Sequence, residues 1–294
     1  MATLKCEAPA KVNLTLHVTG QRDDGYHLLD SLVVFGGVSD QLSASVAPDL
    51  RLQVSGPFGF GVPTDDSNLV LRAARALRDM RGVTQGAAIM LEKHLPHAAG
   101  IGSGSSDAAA ALKMLAELWS VPPLPSTAPE VLALGADVPV CMRAPAPTRM
   151  SGIGEVLSPV AALPPCAMVL VRPPVEVPTV DVFAGMTNKN GTAMDPLPEG
   201  LDFDGFGHWL KAQRNDMETA AIKIAPEIKA ALTKLRANPT VSVARMSGSG
   251  ATCYGLVKDM ATARQVARVI QVSEMGWWVA PAEVLRSQVT RATT

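Results

Sequence analysis

Pro96 to Asp107 reads P-H-A-A-G-I-G-S-G-S-S-D and runs directly into the alanine-rich stretch Ala108 to Trp119. Three glycines at alternate positions, Gly100, Gly102 and Gly104, let the backbone take positive φ and approach a ligand closely. Ser105 and Ser106 stand where an N-cap belongs, ahead of strong helix formers, so the spacing predicts a helix over 106–119. Such a helix aims its unpaired N–H groups and its positive dipole end at the glycine loop, which makes a phosphate site. The pattern is not a P-loop, since no Gly-Lys-Ser/Thr ends it, and it is not G-x-G-x-x-G. A loop-to-helix turn that uses glycine for geometry alone is the other reading this stretch permits by itself.

The rest of the chain narrows the choice. With 294 residues it is long enough for two cores or one large one. Hydrophobic residues make up 47% and charged residues 18%, an ordinary globular balance. A net charge of −1 provides no basic footprint for nucleic acid, so an anionic ligand has to be held by local groups. Cys6, Cys141, Cys166 and Cys253 are far apart and contain no C-x-x-C pair, which predicts reduced thiols rather than a zinc site or a disulfide framework. There is no signal-peptide pattern and no apolar window of membrane-spanning length, so a cytoplasmic protein without membrane or nucleic-acid partners is expected.

Upstream of the loop, residues 10–18 alternate: Val12, Leu14, Leu16 and Val18 share one face, and Lys11, Asn13, Thr15 and His17 the other. This predicts one half-buried strand with Lys11 and Asn13 side by side on an exposed or site-lining face. A polar turn from Gly20 to Gly25 leads to Tyr26 and His27, with further strand expected over 40–56, a helix over 68–81 and a strand over 87–93. Downstream come L-G-A-D-V-P-V (134–140), S-G-I-G-E (151–155), an irregular span over 172–206, helical patterns over 208–224, 226–236 and 260–273, and strands around S-G-S-G-A (247–251) and near 277–285. The mixture predicts α+β architecture in both halves, with a proline-marked boundary between 158 and 166.

Two sets of features carry a resemblance: the N-terminal strand, the glycine loop and the late S-G-S-G-A mark the broader one, and P-A-K-V-N-L-T-L-H-V-T-G-Q-R-D-D-G-Y-H (9–27), L-G-A-D-V-P-V (134–140), S-G-I-G-E (151–155) and the pair Asn215-Asp216 the narrower one. The chain resembles the GHMP kinase superfamily, and within it the branch whose acceptor is a cytidine-diphosphate-linked methylerythritol. The resemblance implies an N-terminal ribosomal-protein-S5-like ATP-binding domain over 1–160 and a C-terminal ferredoxin-like α/β sandwich over 161–294. It implies ATP and Mg²⁺ as cofactors, a cytidine-diphosphate-linked polyol as substrate, phosphorylation of its 2-hydroxyl in isoprenoid precursor synthesis, and a monomer or weak homodimer.

Site residues carry over position by position. ATP falls to Pro96, His97, Ala98, Ala99, Gly100, Ile101, Gly102, Ser103, Gly104, Ser105 and Ser106, with Ser105 or Ser106 as a possible Mg²⁺ contact and no other protein ligand assigned to the metal. Asp137 and Lys11 are the catalytic pair: Asp137 accepts or orients the proton of the substrate hydroxyl, and Lys11 within about 4–6 Å would favour its ionised form. By residue type alone a turn carboxylate and a solvated lysine stay open as readings. Tyr26, His27, Phe183 and Asn13 bind the acceptor, an aromatic pair sandwiching the cytosine while the histidine reads its edge. A structural hydrogen bond for His27 and core packing for Phe183 remain open. Gly248, Ser249 and Gly250 close over the site, unless they form a plain hairpin turn. Asp107 is either an anion near a cation or a first-turn helix stabiliser. The chain departs from the commonest loop pattern at Ser103, where glycine is usual, and at His97-Ala98-Ala99; the connection before Asp137 is short.

Overall fold

The computed structural model describes residues 3–286. The first sheet is built around β3 (His27–Ala47), a strand of 21 residues long enough to serve different neighbours along its length. Its first half pairs with β2 (His17–Gln21) and β6 (Thr148–Gly152), and its second half with β1 (Leu4–Asn13) and β5 (Gly86–Glu92). β4 (Arg51–Ser55) joins β5 in parallel, and β7 (Val156–Pro159) joins β6 antiparallel. Helices α1 (Leu69–Arg81) and α2 (Ser103–Leu118) cover one face of this sheet. Asn68 caps α1 by accepting from the Val70 N–H at 2.8 Å, and Gly82 ends it in the left-handed region. On α2 the run Ala108–Ala111 is wholly buried, its small side chains letting the helix lie close to α1 and β1.

After two short helices, α3 (Pro129–Leu134) and α4 (Val138–Cys141), the second unit holds an antiparallel sheet in the order β11-β8-β10-β9: Trp278–Glu283, Ala167–Arg172, Cys253–Val257 and Val243–Met246. Helices α5 (Thr179–Gly185), α7 (Glu218–Ile224), α8 (Glu227–Ala237) and α9 (Met260–Ser273) pack a separate core on it, while α6 (Phe203–Ala212) joins a third core. That third core joins the two sheets: Ala10, Val12, Leu14, Leu32 and Val34 meet Met168, Leu170, Tyr254 and Leu256. Beyond β11, Val284 bridges to Gly36, and the Leu285 N–H reaches the Phe35 carbonyl at 2.8 Å.

Several expectations change. Residues 10–18 form two strands broken at Leu14–Leu16, and both faces are buried: Val12 and Leu14 pack into the core shared with the second sheet, while Lys11 lies against the glycine loop and His17 against Thr192 and Arg214. The segment read as strand over 40–56 is the end of β3 plus β4, and the pattern over 208–224 is two helices interrupted at Gln213–Met217. The helix after the glycine loop starts at Ser103, with Gly102 at φ +58° in the N-cap position; Ser105 and Ser106 lie inside its first turn. Of the three alternate glycines, Gly100 and Gly102 take positive φ, whereas Gly104 is helical.

The polar face of β1 and β2 became a set of tethers. His17 is 1% exposed, with Nδ1 3.2 Å from the Thr192 carbonyl and Nε2 accepting from the Arg214 N–H at 3.2 Å. That pair of partners fixes the neutral ring as the Nδ1–H tautomer, and burial with the nearby Arg214 charge holds its pKa below the ordinary value. A depressed folded-state pKa contributes stability above the unfolded value, and that contribution is lost as pH falls. The melting temperature is therefore expected to drop between about pH 7 and pH 5.5, with a smaller drop in His17→Gln. An equal slope in both proteins, measured by calorimetric melting, would remove His17 as its source.

Candidate active site

One cavity of about 890 Å³ lies between the two units, and residues from both line it. Its floor is set by β1. The Lys11 N–H donates to the Ile101 carbonyl at 2.9 Å, laying the glycine loop along the strand. The Lys11 Nζ then reaches Asp137 Oδ2 at 2.9 Å and Asn13 Oδ1 at 2.8 Å. The lysine side chain is 4% exposed and the aspartate side chain 35%, so the carboxylate faces the cavity while its counter-charge sits beneath it. Asn13 is aimed in turn by its Nδ2 donating to Ser31 Oγ at 2.8 Å. A Cβ on Gly102 would stand 2.8 Å from Lys11 Cε, so only glycine lets the loop pass this close to the ion pair.

Asp137 precedes α4, and its backbone is positioned from behind by S-G-I-G-E. Gly154, at φ +118°, lies so close to Ala136 that a Cβ there would fall 2.6 Å from the Ala136 carbonyl oxygen. The Glu155 carboxylate accepts the Ile153 N–H and closes that turn. This is the local geometry that the short connection left open.

The loop itself is braced from the second unit. Ser247 Oγ donates to the Gly100 carbonyl at 2.9 Å and accepts from the Asn13 N–H at 3.1 Å, and the Thr252 N–H donates to the Ala99 carbonyl at 3.1 Å. Asn215 Nδ2 holds the same motif through the Met246 and Gly248 carbonyls, at 2.8 and 2.9 Å, while Asp216 accepts the Val18 N–H at 2.8 Å. Gly248, Ser249 and Gly250 line the cavity, with Ser249 Oγ 2.7 Å from the Thr179 hydroxyl on the opposite wall.

Of the residues carried over to ATP, Ala98, Ala99, Gly100, Gly102, Ser103, Gly104 and Ser105 line the cavity, and Pro96, His97, Ile101 and Ser106 do not. Ile101 is core, and the Ser106 hydroxyl donates to the Pro9 carbonyl at 2.7 Å. Ser103 Oγ points away into a buried cluster with Lys93 and Asp40, which also takes Asp107. Asp107 is therefore an anion buried against a cation, the Lys93 ammonium 2.7 Å away. Burial pushes its carboxyl above the usual carboxylate range, against the pull of Lys93.

Elsewhere on the cavity lining the His27 ring stacks on Phe183, with centroids 4.1 Å apart and planes 10° from parallel, and Tyr26, also on the lining, is 58% exposed. Burial and the Lys189 charge hold the His27 pKa below its ordinary value, so the ring is neutral near pH 7. Its Nε2 is buried without a hydrogen-bond partner. Sequence reasoning placed these three residues together but not the stack between two of them. It missed Thr179, Ser247, Asp40 and Lys93; for Lys93 the signal was a charge ending an apolar strand just before the glycine loop.

Among the described residues no group of three or more His, Cys, Asp or Glu stands close enough to hold a metal ion. The Ser105 hydroxyl on the cavity lining suits a Mg²⁺ that would be held mainly by nucleotide oxygens and water rather than by protein carboxylates.

A glycine-walled, helix-headed anion cradle facing an ion-paired carboxylate across one cavity is the layout of a small-molecule kinase. Residues 68–145 match the GHMP kinases N terminal domain and residues 197–273 match the GHMP kinases C terminal domain. The chain belongs to the GHMP kinase family, among its 4-diphosphocytidyl-2-C-methyl-D-erythritol kinases. It is 51% identical over 279 residues to the kinase of that name from Cereibacter sphaeroides, covering 94% of this chain and 98% of the relative. The identity is also 51% over 287 residues with the one from Paramagnetospirillum magneticum, covering 97% and 100%. A crystal structure of 4-(cytidine 5'-diphospho)-2C-methyl-D-erythritol kinase superposes with a TM-score of 0.75 at 31% identity, covering 96% of this chain and 99% of that one. Homoserine kinase from Cytophaga hutchinsonii shares the fold at 15% identity and a TM-score of 0.69, covering 97% and 96%.

Proposed function

We infer that this chain transfers the γ-phosphoryl group of ATP to the 2-hydroxyl of 4-diphosphocytidyl-2-C-methyl-D-erythritol, giving the 2-phosphate and ADP in methylerythritol phosphate isoprenoid synthesis. The observation that carries this reading is the Lys11–Asp137 pair, open to one cavity between the glycine loop and the His27–Phe183 stack.

In this reading the N–H groups at the start of α2 and along residues 98–104 receive the phosphates, and Ser105 adds its hydroxyl. Mg²⁺, when bound with the nucleotide, would supply charge neutralisation, and the Ser105 hydroxyl is the protein group that would hold it. Asp137 orients the acceptor hydroxyl and takes its proton as the new O–P bond forms and the bond to the ADP oxygen breaks. Lys11 holds that carboxylate in place and faces the charge spread over the transferring group. The cytosine enters between Tyr26 and Phe183, taking the face of Phe183 that His27 covers, and the displaced imidazole turns its free Nε2 to the edge of the base. A division near residue 160, a cytoplasmic location and a monomer or weak homodimer complete the reading.

ADP release from Mg·ATP is expected only when the cytidylated acceptor is added. Equal turnover with methylerythritol phosphate lacking the cytidine would overturn the base-recognition reading. Phe183→Ala is expected to raise KM for the cytidylated acceptor about 5- to 150-fold, the equivalent of ~1–3 kcal/mol for one base stack, and to leave KM for ATP unchanged.

A further inference from the structure

Lys93, just past the end of β5, takes no part in the steps above, yet it is among the most deeply buried large side chains, at 2% exposure. Its Nζ pairs with Asp40 Oδ2, with Ser103 Oγ and, at 2.7 Å, with Asp107 Oδ2. Asp40 is fully buried on β3, and its other oxygen accepts the N–H groups of His94 and Leu95 at 2.6 and 2.8 Å. Ser103 Oγ also donates to Asp40 Oδ2 at 3.1 Å. Asp107 Oδ1 is buried without a partner. The main chain of Lys93 is held as well, its N–H by the Ser55 carbonyl at 2.8 Å and its carbonyl by the Phe58 N–H at 3.1 Å.

Two buried carboxylates sharing one ammonium is a costly way to gain stability, since well-packed apolar side chains in such a place commonly do as well or better. What the cluster holds is more telling than what it costs. Residues 94–95 lead into the glycine loop and Ser103 leads out of it, and both are tied to the same Lys93–Asp40 pair. The loop between them has no side chain of its own on that cluster.

We propose that Lys93 is a positioning residue for phosphoryl transfer, clamping with Asp40 and Asp107 both ends of the glycine loop so that its N–H groups are preorganised for the phosphates of ATP. Preorganised donors act without reorganisation cost at the moment of transfer, and misplacing them by an ångström weakens both binding and transfer. This rests on the reading that the loop carries ATP.

The test uses the whole chain and Lys93→Met/Asp107→Asn, which removes one positive and one negative charge and keeps the net charge of the cluster. Melting temperature, binding of a non-hydrolysable ATP analogue without acceptor, and KM for each substrate are measured. The double variant is expected to stay folded, to bind the analogue about 10-fold more weakly and to raise KM for ATP by a similar factor, with KM for the cytidylated acceptor changed less than about two-fold. Wild-type protein that fails to bind the analogue would refute the ATP reading itself. Wild-type binding with an equally tight double variant, or both KM values moving together with the melting temperature, would overturn the clamp alone. If the double variant does not fold, isosteric Asp107→Asn decides: an about three-fold rise in KM for ATP alone supports the clamp, and an unchanged KM overturns it.

Discussion

Asp137→Asn is expected to lower kcat by roughly 10²- to 10⁴-fold while leaving ATP affinity nearly unchanged, the range associated with losing a positioned proton acceptor. The asparagine keeps the size of the side chain, and its amide oxygen can still accept from Lys11 Nζ, 2.9 Å away in the wild-type pair. What it loses is the charge and the capacity to take the hydroxyl proton. Because the loop is anchored through Ile101, Ala99 and Gly100 rather than through Asp137, nucleotide binding has an independent basis. Steady-state rates combined with calorimetric nucleotide binding separate the two effects. A variant that keeps more than a tenth of the wild-type kcat would take Asp137 out of the proton transfer.

Gly102→Ala is expected to cost about 10²-fold in kcat, because a 1 Å misplacement of a reacting group has consequences of that size. The new methyl group would lie 2.8 Å from Lys11 Cε and 3.2 Å from Lys11 Cβ, on a residue held at φ +58°. Lys11 can shift only by giving up contacts, since its ammonium is held by Asp137 and Asn13 and its N–H by the Ile101 carbonyl. Gly185→Ala is the control: its Cβ would meet only Ala220 Cβ at 3.6 Å, within helix α5 and outside the cavity lining, where alanine is preferred over glycine. Near-wild-type turnover in Gly185→Ala with a large loss in Gly102→Ala is the expected pattern. Similar activities in both would show that close passage of the loop over Lys11 is not needed.

The α+β character and both glycine motifs were legible in the chain because each sits in a contiguous stretch with its own pattern, whereas the Lys11–Asp137 pairing was implied only by the family resemblance. The interior of the site was less legible. Alternation over 10–18 identifies which residues share a face, but it cannot distinguish solvent from a second unit that covers that face, so Thr15 and His17 read as exposed or site-lining when they are tethers. Ser103 read as one more phosphate hydroxyl, since its partner Asp40 lies 63 residues earlier on a different element. Helix start signals pointed to Ser105 and Ser106, yet two left-handed glycines turn the chain early enough for the helix to begin at Ser103. In the first two cases local sequence chemistry was outweighed by a partner distant in sequence, and in the third by the glycines directly before the helix.

The brace on Gly100 comes from Ser247, 147 residues further along the chain. During synthesis the glycine loop therefore emerges long before the hydroxyl that holds its carbonyl, and the Ala99 carbonyl waits equally long for the Thr252 N–H. A nascent chain that has completed the first sheet has the glycines and the helix but a loop still free on one side. Two carbonyls of the loop thus depend for their partners on the last fifth of the chain, so truncation before Ser247 would release that side of the loop.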